Sequence, residues 1–222
     1  MRHYKKIEVI GYVILMLLWF IGSQLLVGNL TYLIVGKTAY ESFYSAHHYA
    51  LNLVSQLVCL GVVLGVDYKN KQFEMHRIWL GMKEIFAYIG IGVLLYGICI
   101  GINLILLPYF PGYSAISEMF DHSEPILNFI VIVVMAPVLE EYVFRGKVQS
   151  FVKREFNPVI AILAQALLFG SLHSLALQKI YASIMGILLG TIKEKTNKLQ
   201  SSIIVHMTVN LIGWFIGVVA NV

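Results

Sequence analysis

The feature that most constrains this chain is a series of apolar stretches running from Ile7 nearly to Val222. Apolar stretches of about 18 residues or more can cross the hydrocarbon layer of a membrane as helices. Only 13% of the residues are charged, whereas a soluble domain has about 25%. We therefore predict an all-α fold, a polytopic membrane helical bundle of about seven transmembrane helices, near residues 7–28, 49–66, 85–107, 126–150, 158–174, 178–192 and 199–220.

This bundle accounts for the whole chain. The longest polar connections, near 29–48, 67–84 and 108–125, are too short to hold a soluble catalytic domain. We expect a single transmembrane domain over 1–222, with N-terminal spans within 7–107 and any chemistry inside the bundle. The first apolar run follows a basic start and predicts a retained signal anchor. The two cysteines lie in apolar segments and are expected to be packing residues: Cys59 and Cys99.

The positive charges predict an orientation. With these spans, every Lys and Arg except Lys37 and Lys179 falls at the N-terminus, at an even-numbered connection, or near the end of a span that leads into one. The positive-inside rule then puts the N-terminus in the cytoplasm and the C-terminus outside. The net charge of +4 is spread over these connections rather than on one face, so we expect no nucleic-acid partner. Small residues four apart predict close helix contacts at three places: Gly61 with Gly65, Gly97 with Gly101, and Gly186 with Gly190.

Two adjacent acids interrupt the fourth apolar stretch. A charge at the centre of a span costs at least about 3 kcal/mol, so Glu140 and Glu141 require a compensating reason. Arg145 lies one helical turn after Glu141, and these two can form an ion pair along one face. Such a pair can be purely structural. Glu140 points about 100° away and is left free to act, while Pro137 opens the turn before it or simply kinks the helix.

Only two histidines lie within apolar sequence, His173 and His206. Glu140 and His173 are about equally far from the polar turn that separates their spans, so the two side chains are expected at similar depth. Asn210 follows His206 by one turn and leaves the same face of the last span. A carboxylate, two histidines and an asparagine on three spans supply a base, a proton shuttle and oxyanion donors, which amide hydrolysis needs.

These residues form three ordered motifs: Glu140 to Arg145, Phe169 to His173, and His206 to Asn210. They match the patterns E-E-x-x-x-R, F-x-x-x-H and H-x-x-x-N, and over about 126–215 the chain resembles the CAAX protease and bacteriocin-processing (Abi) family, which includes the type II CAAX prenyl endopeptidases. The resemblance implies an intramembrane endopeptidase in which Glu140 and His173 activate a water.

In the same resemblance, His206 and Asn210 stabilise the oxyanion, and the supporting residues are Glu141, Arg145 and Phe169. We expect no cofactor. Zinc stays an alternative, with Glu140, His173 and His206 as its ligands, because members of the family have been described as metalloproteases. The expected partners are the lipid bilayer of the cell membrane and a membrane-bound peptide or protein, such as a prenylated protein or a bacteriocin leader.

Three other functions stay open from the sequence. Intramembrane Glu and His also build the proton relays of coupled transporters. A bundle that only binds a partner, as an immunity or regulatory protein, needs no catalysis. A serine protease of rhomboid type would use Ser171, although no glycine follows it.

Overall fold

The computed structural model describes residues 6–70, 80–110 and 124–220, without the side chains of 218–220. In this part of the chain there are seven helices and no strand. The helices are α1 (Lys6–Val35), α2 (Lys37–Lys69), α3 (Met82–Leu106), α4 (Pro125–Val152), α5 (Pro158–Ser171), α6 (Ala176–Thr196) and α7 (Leu199–Ala220). The predicted all-α, polytopic helical bundle is confirmed.

Five of the described helices, α1 to α4 and α7, are long and apolar enough to cross a membrane. Helix α5 has only 14 residues and is about 21 Å long, less than the roughly 30 Å of a hydrocarbon core. It pairs with α6, where a Cβ on Gly186 would lie 2.8 Å from Cα of Ala166. Helices α5 and α6 therefore form a tight hairpin beside the five long helices.

The predicted polar connection at 29–48 is wrong. Helix α1 continues to Val35 and α2 begins at Lys37, with only Gly36 between them at a φ of 77°. Polar side chains at the end of α1 make hydrogen bonds within the helix; Thr31, for example, donates to the carbonyl of Val27 at 2.9 Å. Helix α2 bends instead at His47, whose φ is −129°. The other two predicted connections are 67–84 and 108–125. Their central parts, 71–79 and 111–123, lie outside the described residues.

Close helix contact occurs at only one of the three predicted glycine pairs. A Cβ on Gly190 would lie 2.5 Å from Nε2 of Gln165, and Gly186 also touches α5. At the other four glycines of the predicted pairs, a Cβ would meet nothing within 4 Å in the described structure: Gly61, Gly65, Gly97 and Gly101. The spacing of small residues therefore marked one real contact, between α5 and α6.

Helix α4 is the central element of the bundle. Its middle packs against α1, α2 and α5 in a cluster that includes Cys59, Phe144 and Phe169. Helix α3 packs on α6 and α7 through a second cluster that includes Cys99, so both cysteines are buried packing residues as predicted. Helix α4 is not a uniform α-helix, because Ile130–Met135 and Glu141–Gln149 are π-helical. Such stretches are rare and frequently lie at functional sites.

Candidate active site

The two acids of α4 sit where its backbone changes from α to π. Glu140 ends the α-helical stretch Ala136–Glu140, and Glu141 begins the π-helical stretch Glu141–Gln149. The side chain of Glu140 is 22% exposed, whereas that of Glu141 is 0% exposed. The adjacent carboxylates thus lie in different surroundings, one reachable by water and the other enclosed by protein.

Glu141 is the centre of a buried charge network. Its Oε1 lies 3.0 Å from Nη1 of Arg145 and 2.9 Å from Nδ1 of His206. The predicted pairing of Glu141 with Arg145 is confirmed, and both side chains are fully buried. The contact with His206 joins α4 to α7 inside the bundle. A buried ion pair needs such additional partners, because burial removes the hydration of both charges.

Glu140 faces the other nitrogen of the same histidine. Its Oε2 lies 3.7 Å from Nε2 of His206, too long for a hydrogen bond but within ion-pair range. With both carboxylates ionised and His206 protonated, the four groups of this cluster carry no net charge. In that state an N–H of the imidazolium is directed towards the half-buried carboxylate.

Phe169 connects the remaining motif to this cluster. The Arg145 guanidinium carbon lies 4.5 Å from the centre of the Phe169 ring, and the ring packs edge-on against both histidines, 5.0 Å from His173 and 6.0 Å from His206. Nδ1 of His173 lies 3.0 Å from the carbonyl oxygen of Phe169. If Nδ1 carries the proton of that hydrogen bond, Nε2 of His173 is a proton acceptor. In the described part of the chain, His173 makes no ion pair with a carboxylate.

Asn210 is placed by a proline on another helix. At the end of the first π-helical stretch, Ala136 donates its N–H to the carbonyl of Val131, five residues back. In that pattern the next residue would donate to Ile132, but Pro137 has no N–H. Nδ2 of Asn210 donates to the Ile132 carbonyl at 2.9 Å instead. One of the two amide hydrogens of Asn210 is thereby used, and the second stays available.

The described residues do not fit the zinc alternative. No three His, Cys, Asp or Glu side chains are grouped closely enough among them to hold a metal ion. Glu140 and His206 are near each other, but His173 reaches the cluster through Phe169. We therefore derive no step through a metal.

Two buried charges were not predicted from the sequence, Asp67 and Lys147. Asp67 was counted as the start of a polar connection, but it lies inside α2 and is 1% exposed. Nothing in the run around it distinguishes it from an acid at the end of a span. A signal did exist at its partner, because Lys147 is another charge in the predicted span 126–150, close after Arg145.

The comparisons with known proteins agree with the motifs. Residues 122–212 match the model of a family described as type II CAAX prenyl endopeptidase Rce1-like. No curated protein matches the chain. No solved structure matches it either. All seven residues predicted for the site lie within the matched segment, and α1 to α3 lie outside it. Over residues 122–212, its C-terminal part, the chain is thus similar to the Rce1-like family of type II CAAX prenyl endopeptidases.

Proposed function

We propose that this protein is an intramembrane endopeptidase that hydrolyses a peptide bond of a membrane-associated peptide or protein. The observation that carries the proposal is the pair of adjacent acids in α4. Glu141 is fully buried and held by Arg145 and His206, while Glu140 is half-buried, beside the same histidine and free of any hydrogen bond in the described structure. A carboxylate that is kept inside a membrane bundle with no hydrogen bond to hold it is suited to proton transfer.

In the proposed mechanism Glu140 is the general base. It takes a proton from a water, whose oxygen attacks the scissile carbonyl carbon. Nε2 of His173 is a second acceptor that orients this water, since the contact of Nδ1 with the Phe169 carbonyl fixes the ring. Glu140 then returns the proton to the leaving nitrogen as the C–N bond breaks. The products are a carboxylic acid and an amine, so atoms and protons balance.

The negative charge on the carbonyl oxygen needs donors in the transition state. We assign this role to Nε2–H of His206 and to the second amide hydrogen of Asn210. Protonated His206 is supported by Glu141, whose Oε1 lies 2.9 Å from Nδ1. Removing one oxyanion donor typically costs about 10²–10³ in kcat. Glu141, Arg145 and Phe169 do not take part in the reaction; they hold the two histidines in position.

The experiment is peptide cleavage by the purified protein reconstituted in lipid vesicles. The probes are a quenched farnesylated peptide that ends in a CAAX sequence, and a panel of unlipidated peptides with one apolar anchor.

Glu140→Gln and His173→Gln should each lower kcat by about 10²–10⁴. Glu155→Gln, in the turn before α5, is the control for the acid. His48→Gln is the control for the histidine, because Nδ1 of His48 also contacts a main-chain carbonyl, that of Ser45 at 3.1 Å. Full activity in both site variants, or no cleavage by the wild type, would refute the proposal.

We also propose that the N-terminus lies in the cytoplasm and the C-terminus outside. The distribution of basic residues supports this orientation. The orientation is the same whether or not the α5–α6 hairpin crosses the bilayer, because α5 and α6 run in opposite directions and return the chain to the same side. Cysteines introduced singly at Arg154 and Tyr44, both exposed and near opposite ends of the bundle, test it in a Cys59→Ala/Cys99→Ala background. An impermeant thiol reagent added to intact cells should label the position at Tyr44 alone; labelling at Arg154 alone would reverse the orientation.

A further inference from the structure

A second polar cluster lies on the opposite side of the π-helical stretch from the active site. Oδ2 of Asp67, near the end of α2, accepts a hydrogen bond from the Tyr142 hydroxyl and forms an ion pair with Nζ of Lys147. All three residues are buried, with 1%, 5% and 3% exposure respectively. Nothing in the proposed reaction uses them. Buried ionisable side chains lose their hydration at a high cost, so this cluster needs a reason of its own.

The spacing of the two α4 residues supplies that reason. Tyr142 and Lys147 are five residues apart, and in an α-helix such residues point about 140° away from each other. In a π-helix, hydrogen bonds join residues five apart, so the two lie on one face. Nζ of Lys147 accordingly lies 5.2 Å from the centre of the Tyr142 ring, and both side chains reach the same oxygen of Asp67. The π-helical form of Glu141–Gln149 thus places both residues within reach of Asp67.

The same stretch carries the buried half of the active site. Glu141 immediately precedes Tyr142, and Arg145 lies two residues before Lys147. Glu141 and Arg145 point towards α7 and Phe169, whereas Tyr142 and Lys147 point towards α2. A return of this stretch to α-helical geometry would rotate Glu141 relative to Arg145 and would shift the oxygen that holds His206. The contacts on the α2 side therefore fix the geometry on the catalytic side.

We propose that Asp67, Tyr142 and Lys147 form a polar clamp that holds α4 in its π-helical form and so positions Glu141 and His206 for catalysis. The proposal rests on the proposed endopeptidase function. Asp67 is then a positioning residue that comes from outside the segment 122–212 that matches the family. It gives the N-terminal helices a role in the reaction, although they contribute no residue to the three motifs.

The test removes the clamp without leaving an unpaired buried charge. The triple variant Asp67→Leu/Tyr142→Phe/Lys147→Met replaces all three polar groups by apolar ones of similar size, a change that is often neutral for stability. The control is Lys153→Met/Glu194→Gln, which removes another ion pair, between the residue that follows α4 and helix α6, beyond the π-helical stretch. Three quantities are measured for each protein: the melting temperature, the hydrogen exchange of residues 141–149 by mass spectrometry, and kcat and KM for the peptide that the wild type cleaves.

We expect the triple variant to melt near the wild-type temperature, to exchange faster over 141–149, and to lose about ten- to a hundredfold in kcat with little change in KM. The control should match the wild type in all of these. A folded triple variant with wild-type kcat overturns the proposal, and so does unchanged exchange over 141–149.

Two further outcomes are also decisive. If the triple variant does not fold, Tyr142→Phe alone should still raise the exchange of 141–149 and lower kcat by about threefold, because it removes one contact and leaves the ion pair; no effect of Tyr142→Phe overturns the clamp. If the wild type cleaves no peptide, the proposed function fails, and the exchange measurement alone then decides whether these contacts hold the π-helical stretch.

Discussion

Neutralising one or the other of the two adjacent acids of α4 should have different consequences. The loss of Glu141 should lower the melting temperature, whereas the loss of Glu140 should lower the cleavage rate and leave the melting temperature almost unchanged. Glu141→Gln leaves the Arg145 guanidinium charged, fully buried and without the carboxylate that lies 3.0 Å from it. Removing one partner of a buried ion pair costs about 3–5 kcal/mol. For a chain of this size, 1 kcal/mol corresponds to about 2–4 °C in melting temperature, so we expect a decrease of about 6–20 °C.

Glu140→Gln should leave the melting temperature almost unchanged. The Glu140 side chain is 22% exposed, and its nearest charged partner is 3.7 Å away. A contact of this kind contributes at most about 1 kcal/mol, or less than about 4 °C. Its cleavage rate should nevertheless fall by about 10²–10⁴, because the general base is lost.

Both variants can be measured in detergent by the fluorescence of the half-buried Trp19 and Trp214, and in vesicles by peptide cleavage. Glu141→Gln/Arg145→Met supplies the control for charge: it should regain much of the lost stability, because no unpaired charge remains, but not the activity. Equal melting temperatures for the two single variants would contradict the assignment of Glu141 as the structural acid and Glu140 as the reactive one.

Three further predictions concern packing, backbone and the serine alternative. Gly186→Ala should destabilise the α5–α6 hairpin by about 1–3 kcal/mol, since its Cβ would lie 2.8 Å from a main-chain atom of α5, whereas Gly61→Ala should leave the melting temperature unchanged. Asn210→Ala should cost about 1–3 kcal/mol because it leaves a main-chain carbonyl of α4 unpaired. Adding Pro137→Ala, which restores an N–H to that helix, should recover part of this lost stability. No recovery would show that the missing N–H of Pro137 is not the reason why the carbonyl needs Asn210. Ser171→Ala should keep full peptide cleavage, because the hydroxyl donates to a main-chain carbonyl at 2.8 Å, and a complete loss would favour a serine mechanism.

The residues of the candidate active site were recognisable from the sequence because each is an exception to a strong rule. Polar and ionisable side chains are rare within apolar spans, so Glu140, His173 and His206 stand out without any knowledge of their contacts. The pairing of Glu141 with Arg145 also followed, because residues four apart in one helix are neighbours whatever the rest of the fold does. Local geometry alone fixes such a contact.

Contacts between helices were not determined in this way. That His206 binds Glu141 through Nδ1 and faces Glu140 with Nε2 depends on the rotation and depth of α7 against α4. The bond from Asn210 to Ile132 and the burial of Asp67 depend on the same packing. The π-helical stretches of α4 carry no sequence signature that we recognised, and they decide which side chains share a face.

The sequence by itself determined that this chain is a helical membrane bundle, and it showed which acids and histidines interrupt the apolar stretches of α4, α5 and α7, because hydrophobicity and helical period act over short distances along the chain. Only the tertiary structure decided that both acids meet the same histidine of α7 and that Asp67 is buried against α4. These contacts depend on how the side chains of α2 and α7 meet those of α4, and residues far apart in sequence come within a few ångströms only once the helices have packed.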